Sequence, residues 1–287
     1  MRWIVVGANG MLGQDLVEML QSQGEDVRTY DRPEIDLTVQ SSVKEHVVEA
    51  DVVVNTAAFT AVDKAEEQER AAFDINATAV QYLAAQCREI GARLVHISTD
   101  YVFDEPADRE TPCEEYALPK PAGAYGRTKL AGEWALRSLS EDYLIVRTAW
   151  LYGAKGNCFP KTMARLAGEH DRLTVVADQY GQPTWTRDLA DLIWRLISAK
   201  APSGIYHGTA QGKTNWHGFT QAIVRSLGKD PSMVAPVTTA DFPRPAPRPA
   251  FSVLAHKTIR DLGLEPIGPW EERWEVAAKE ILADYLD

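Results

Sequence analysis

Arg2-Trp3-Ile4-Val5-Val6-Gly7-Ala8-Asn9-Gly10-Met11-Leu12-Gly13 decides how the rest of the chain is read. A short apolar run rich in β-branched residues runs into a glycine cluster, and an amphipathic stretch from Gln14 to Gln23 follows. That order predicts strand, tight turn, helix. Gly7 lets the backbone turn, Gly10 lets it approach a pyrophosphate, and Gly13 lets helix pack closely on strand. The free N–H groups of the helix N-terminus then face the phosphates. A second strand, Val27–Tyr30, ends at Asp31, eighteen residues beyond Gly13. There a dinucleotide fold places the acid that accepts hydrogen bonds from the adenosine ribose. Its neighbour Arg32 pulls the other way: the carboxylate suits NADH and repels the extra phosphate of NADPH, whereas a guanidinium attracts it. Dual cofactor use is the expectation. Asp36-Leu37-Thr38 either lines the adenine or caps the helix that follows.

The strand-and-helix alternation continues outward. Val39–Glu49 reads as a helix, Asp51–Asn55 as a buried strand, Glu66–Gly91 as one long helix and Arg93–Ser98 as the next strand. A helix ending at Glu133–Leu139 precedes a strand at Tyr143–Arg147. Strands of continuous Val, Ile and Leu predict a parallel sheet covered on both faces, an α/β doubly wound fold. Residues 1–150 are expected to be mainly this nucleotide-binding domain, and residues 151–287 mainly a smaller substrate lobe interleaved with the last sheet elements. The second half offers helices at Leu189–Ser198 and Phe219–Leu227, a proline-rich stretch from Phe242 to Pro249 that no helix interior tolerates, and helical signals over Ser252–Leu264.

Composition narrows the function class. A net charge of −11 without a basic patch argues against nucleic-acid binding, though local cations and N–H groups still suit an anionic small molecule. Cys87, Cys113 and Cys158 show neither metal nor disulfide spacing, which fits a reducing cytoplasm. No apolar run is long enough for a membrane span, and no secretion signal opens the chain. The six histidines show no metal spacing, so His96, inside a strand, reads as a satisfied core residue. Trp185 and Trp216 read as packing or lobe-interface residues.

Chemistry enters with Tyr125-Gly126-Arg127-Thr128-Lys129, which sets Tyr and Lys four apart on one helix face. Ser98-Thr99-Asp100-Tyr101 follows an apolar strand and so falls at the carboxyl edge of the sheet, where ligands bind. Hydroxyl, phenol and ammonium make a proton-handling set, with the phenol as donor and the ammonium expected to lower its pKa.

These motifs, together with Val54–Glu66, Val102-Phe103-Asp104, Arg147–Gly153 and Arg248–Leu254, resemble the extended short-chain dehydrogenase/reductase superfamily almost end to end. Within it the chain is similar to the dTDP-4-dehydrorhamnose reductases. The resemblance implies a Rossmann-type fold and the reduction of dTDP-4-dehydro-L-rhamnose to dTDP-L-rhamnose by hydride from NADPH or NADH. It implies Thr99, Tyr125 and Lys129 as the catalytic trio, with Tyr125 the proton donor. Gly7, Gly10, Met11, Leu12, Gly13, Asp31, Arg32, Asp36, Leu37, Ala57, Ala58, Phe59, Ser98, Tyr125 and Lys129 would surround the cofactor. Val62, Thr99, Asp100, Trp150 and Arg248 would meet the nucleotide-sugar substrate. A monomer or homodimer is implied, and some members are bridged by Mg2+ near the positions of Asp15 and Asp188. Two departures stand out: Val6 replaces the usual Thr before the glycine loop, and the Asp104–Tyr125 loop is irregular. The rivals are an epimerase or dehydratase of the same fold, and a non-catalytic nucleotide-binding subunit. Dehydratases carry Asp-Glu after the strand-end Thr, where this chain has Asp100-Tyr101; an intact trio argues against a mere binder.

Overall fold

Strands of alternating but uniformly apolar residues must be covered on both faces, and the sheet is built that way. In the computed structural model, which describes residues 1–286, six strands form one sheet: β1 (Arg2–Val6), β2 (Asp26–Tyr30), β3 (Val52–Asn55), β4 (Arg93–Thr99), β5 (Tyr143–Thr148) and β6 (Gly204–His207). Their order is β6-β5-β4-β3-β1-β2, and every neighbouring pair is parallel. The helices of the first half are α1 (Met11–Ser22), α2 (Gln40–His46), α3 (Val62–Glu67), α4 (Glu69–Phe73), α5 (Ala79–Ile90) and α6 (Ala124–Leu139). In the second half are α7 (Phe159–Glu169), α8 (Thr186–Ser198), α9 (Trp216–Ser226), α10 (Lys257–Asp261) and α11 (Trp270–Ile281).

The period of two along each strand sorts the core into two layers. Ile4, Val53, Leu94 and Ile145 pack with Val43 of α2, Leu83 of α5 and Leu136 of α6. Val5, Val54, Val95 and Leu144 face the other way, against Leu16 of α1 and Leu189, Ile193 and Leu196 of α8. The fold is therefore the doubly wound, Rossmann-type parallel sheet. Strand order reverses between β1 and β3, and the crevice at that switch point is where such folds bind ligands.

Two expectations need correction. Glu66–Gly91 is not one helix: α3 ends before Gln68, α4 is short, and a π-helical turn, Asp74–Thr78, separates it from α5. The wide turn lies where α6 comes closest: a Cβ on Gly132 would lie 2.1 Å from the Asn76 carbonyl oxygen. Likewise, helix within Ser252–Leu264 is confined to α10. Upstream, the chain is extended because its backbone groups are taken up elsewhere: Cys113 N–H donates to the Val253 carbonyl at 2.7 Å, and Ser252 N–H to Tyr180 O at 3.0 Å. The same bonds pin the irregular loop around Cys113.

Candidate active site

The glycine loop joins β1 to α1 as a close-packed turn. Gly7 adopts φ +78°, and a Cβ there would sit 2.6 Å from the Ala57 nitrogen; one on Gly13 would sit 2.4 Å from the Gly7 carbonyl oxygen. A Cβ on Gly10 would meet only Gly7 O, at 3.2 Å. Gly10 is also the N-cap of α1, without any side-chain cap, so the first N–H groups of the helix remain free for a ligand. Asp31 is fixed at the end of β2 by accepting from Asn9 N–H and Arg32 N–H, each at 2.8 Å. The Ala57–Phe59 segment beyond β3 is held by two buried amides. Asn55 Oδ1 accepts from Ala57 N–H at 3.1 Å, and Asn76 accepts from Phe59 N–H at 2.9 Å while donating to Phe59 O and Thr128 Oγ1.

One cavity of about 940 Å³ joins these parts, at the upper end of the range of ligand pockets, about 300–1,000 Å³. Gly7, Gly10, Met11, Leu12, Gly13, Asp31, Arg32, Leu37, Ala57, Ala58, Phe59 and Ser98 all line it. Asp36 does not: its carboxylate accepts from Thr38 N–H and Oγ1, closing a local turn, while α2 begins after Val39 with no side-chain cap and Thr38 joins Leu37 on the cavity wall.

The same cavity is lined by Thr99, Asp100, Tyr101, Tyr125 and Lys129. β4 ends at Thr99, a 3-10 turn starting at Asp100 follows, and α6 presents Tyr125 and Lys129 from its first turns. Gly126 makes this approach possible, since a Cβ there would lie 2.2 Å from the Tyr101 carbonyl oxygen. Protein packs densely around the Tyr125 hydroxyl, and that burial pushes the phenol up to about 12, although the Thr99 hydroxyl pulls it down. The lowering expected from Lys129 is not seen, and the Asp100 charge adds to the rise. Lys129 is itself pushed down to about 8 by burial, against the charge of Glu133, and its Nζ donates to the Ile97 carbonyl at 2.6 Å rather than aiming its charge at the phenol. Asp100 is buried and raised to about 6 by desolvation, with Ser252 donating to it at 2.5 Å and Thr99 at 3.1 Å. Ser98 donates at 2.6 Å to Glu133, which forms a buried, bidentate ion pair with Arg147.

Val62 and Trp150 also line the cavity. Trp150 is held at φ +45°, a strained position for a bulky residue, with its indole lying on the Gly181 backbone and stacked on Trp216 at 3.6 Å and 12°. Trp216, expected as a packing or lobe-interface residue, also lines the cavity. Asn215 caps α9 and so sets Trp216 at the helix start; an Asn before an aromatic helix start was the available signal. Tyr101, packed edge-on against Tyr125 at 5.5 Å, is another lining residue that sequence reasoning left without a role. Arg248 is not brought to the wall: it pairs with Asp63 at 2.9 Å and donates to Ala246 O.

Both carboxylates considered for Mg2+ are engaged by other side chains, although Asp15 Oδ1 has no hydrogen-bond partner among the described residues. Asp15 accepts from Thr186 Oγ1 and faces Lys155 at 3.6 Å, and Asp188 accepts two bonds from Arg273 at 2.7 and 2.8 Å. Among the described residues no group of three or more His, Cys, Asp or Glu is placed to hold a metal ion. No described helix is long and apolar enough to cross a membrane.

A phosphate-binding turn at a switch point, with a Tyr/Lys helix crossing the same cavity, defines an oxidoreductase of the extended short-chain dehydrogenase class. Comparison with known proteins is narrower. The model of the RmlD substrate binding domain family matches residues 1–284, and the chain belongs to that family. It is 45% identical over 278 residues to dTDP-4-dehydrorhamnose reductase of Streptomyces griseus, covering 94% of this chain and 90% of that one. It is 44% identical over 286 residues to a probable dTDP-4,6-dihydroxy-2-methyloxan-3-one 4-ketoreductase of Streptomyces antibioticus, covering 99% and 96%. Among solved structures, dTDP-4-dehydrorhamnose reductase of Bacillus anthracis in complex with NADP superposes with a TM-score of 0.92 at 38% identity, over 96% of this chain and 98% of that one.

Proposed function

We propose that this chain reduces the C4 ketone of dTDP-4-dehydro-L-rhamnose to dTDP-L-rhamnose, using NADPH or NADH, with Tyr125 as proton donor. The observation that carries the reading is the convergence of Thr99, Tyr125 and Lys129 in the cavity that also holds the glycine loop and Asp31. The residues fit a dinucleotide: the open side of Gly10, the uncapped N-terminus of α1 and the carboxylate of Asp31 are a pyrophosphate and ribose donor set. Bound there, the reduced nicotinamide supplies a hydride to the carbonyl carbon. Loop N–H groups hold its diphosphate, Asp31 and Arg32 hold the adenosine ribose, and Lys129 reaches the nicotinamide ribose. The Thr99 hydroxyl turns from Asp100 to the keto oxygen, and Tyr125 gives that oxygen its phenolic proton as negative charge develops. Stacked Trp150 and Trp216 offer the sugar nucleotide an apolar wall. Three buried, free cysteines agree with a reducing cytoplasm as the place of the reaction.

Tyr101 lies where a dehydratase carries its second acid, which favours reduction over elimination. Similarity to a 4-ketoreductase acting on another dTDP-linked sugar keeps a second substrate of the same class in play. Steady-state turnover with purified dTDP-4-dehydro-L-rhamnose and each reduced nicotinamide tests the proposal, with its C3/C5 epimer as competitor. Preference for the epimer would overturn the assigned sugar, and turnover of neither would overturn the reaction.

A further inference from the structure

Asn55 on β3, His96 on β4 and Lys129 on α6 stand in a row from the sheet to the cavity wall, at 1%, 0% and 1% exposure. Ala57 N–H donates to Asn55 Oδ1, and a main-chain donor cannot reverse its polarity. The other end of that amide, Nδ2, therefore donates to His96 Nδ1 at 3.2 Å, which leaves this ring nitrogen unprotonated. Burial and the neighbouring lysine hold the imidazole well below its ordinary value, hence neutral, and its one proton sits on Nε2. That N–H faces Lys129 Nζ at 3.3 Å. A neutral amine accepts it through its lone pair; an ammonium has none.

We infer that His96 is a positioning residue that sets the charge state of Lys129, its ring proton directed at the lysine by Asn55; this rests on the Tyr125–Lys129 reading above. The imidazole works against the ammonium, so Lys129 releases its proton to solvent at mildly alkaline pH. Burial acts in the same direction. The other groups facing the lysine do not reverse this. Glu133 on α6 raises it, but that carboxylate is paired with Arg147 of β5; the Tyr125 phenol is neutral in this range; and Asp100 bears on Tyr125. Lys129 supplies the one charge acting on His96.

Two measurements test the inference. In wild-type protein carrying isotope-labelled histidine, proton–nitrogen correlation NMR reads the tautomer, with His96 assigned by its loss in His96→Phe or His96→Gln. We expect the proton on Nε2; a proton on Nδ1 overturns the proposal, whatever the substrate proves to be. The second is the alkaline limb of kcat/KM. In Asn55→Asp the carboxylate accepts from His96 Nδ1–H, moves the ring proton, and gives the ammonium an acceptor, so the limb rises by about one pH unit. A carboxylate also acts directly through its charge, and repeating Asn55→Asp in the His96→Phe background isolates that effect. The rise should be at least about twofold larger in the parent than in that background; equal rises overturn the relay through the imidazole. If the enzyme turns over no keto sugar, the proposed function fails while the NMR arm still decides the tautomer. The lysine titration is then followed by NMR of labelled lysine in the same variants, with the same two outcomes.

Discussion

Tyr125 illustrates how a residue's surroundings, rather than its type, set its role. Its phenol is pushed up to about 12 by burial, so at neutral pH it keeps the proton that a developing alkoxide needs. General-acid groups contribute about a hundredfold to ten-thousandfold, and Tyr125→Phe should lose that much kcat while leaving the phosphate cradle, and so cofactor affinity, unchanged. Stopped-flow turnover with a separate cofactor titration checks both halves; retention of more than about a third of the wild-type rate removes Tyr125 from the donor role. Arg32 makes the matching case for the cofactor. It is exposed at the cavity edge, with its own N–H bonded to Asp31 Oδ1 and its guanidinium free to meet a ribose phosphate. Arg32→Ala should reduce kcat/KM with NADPH far more than with NADH, and Asp31→Ala should do the reverse. Equal loss with both cofactors in the Arg32 variant places the guanidinium outside the phosphate site.

At the scale of elements, the site depends on how closely helices approach strand ends. Asn76, fully buried in the π-helical turn, ties the Phe59 backbone to Thr128 on α6 and so couples the cofactor-side loop to the helix bearing Tyr125 and Lys129. Asn76→Ala removes the partner of the part-buried Phe59 N–H and carbonyl and one bond to the Thr128 hydroxyl, which keeps its bond to Tyr125 O, and should cost about 2–4 kcal/mol of stability, read from urea unfolding. A loss below about 0.5 kcal/mol would show that loop and helix are held by other contacts. The strands and the Tyr/Lys pair were legible because their signals are local: a β-branched run, a glycine turn, a four-residue spacing on one face. What was missed is long-range. Glu66–Gly91 keeps a helical period throughout, and nothing in it announces that Gly132 must press on the Asn76 carbonyl. The Asn215 cap marks where Trp216 starts its helix, but its place on the cavity wall comes from packing on Trp150 and Phe159, and Arg248 is drawn away by Asp63, partners distant in sequence.

For the whole molecule, the question is whether the nucleotide-binding half is a unit of its own. One face of the sheet is covered by α1, from the first half, and by α8, from the second, with Leu189, Ile193 and Leu196 packed in the same cluster as Val5, Val95 and Leu144. β6, contributed after α8, closes the sheet beside β5 through Ile205, Tyr206 and His207. Ser252 adds a polar tie to Asp100 at the strand end. Cutting the chain after residue 150 would expose that face and leave β5 as a bare apolar edge, which invites aggregation. We therefore expect the full chain to unfold in one transition, with far-ultraviolet circular dichroism and tryptophan fluorescence coinciding along a urea titration, because the tryptophans on both sides of residue 150 share one cluster. A fragment of residues 1–150 should show no cooperative transition and should aggregate on refolding. Two separated transitions in the full chain, or a soluble fragment that unfolds cooperatively, would show that the sheet's first five strands carry a core sufficient to themselves.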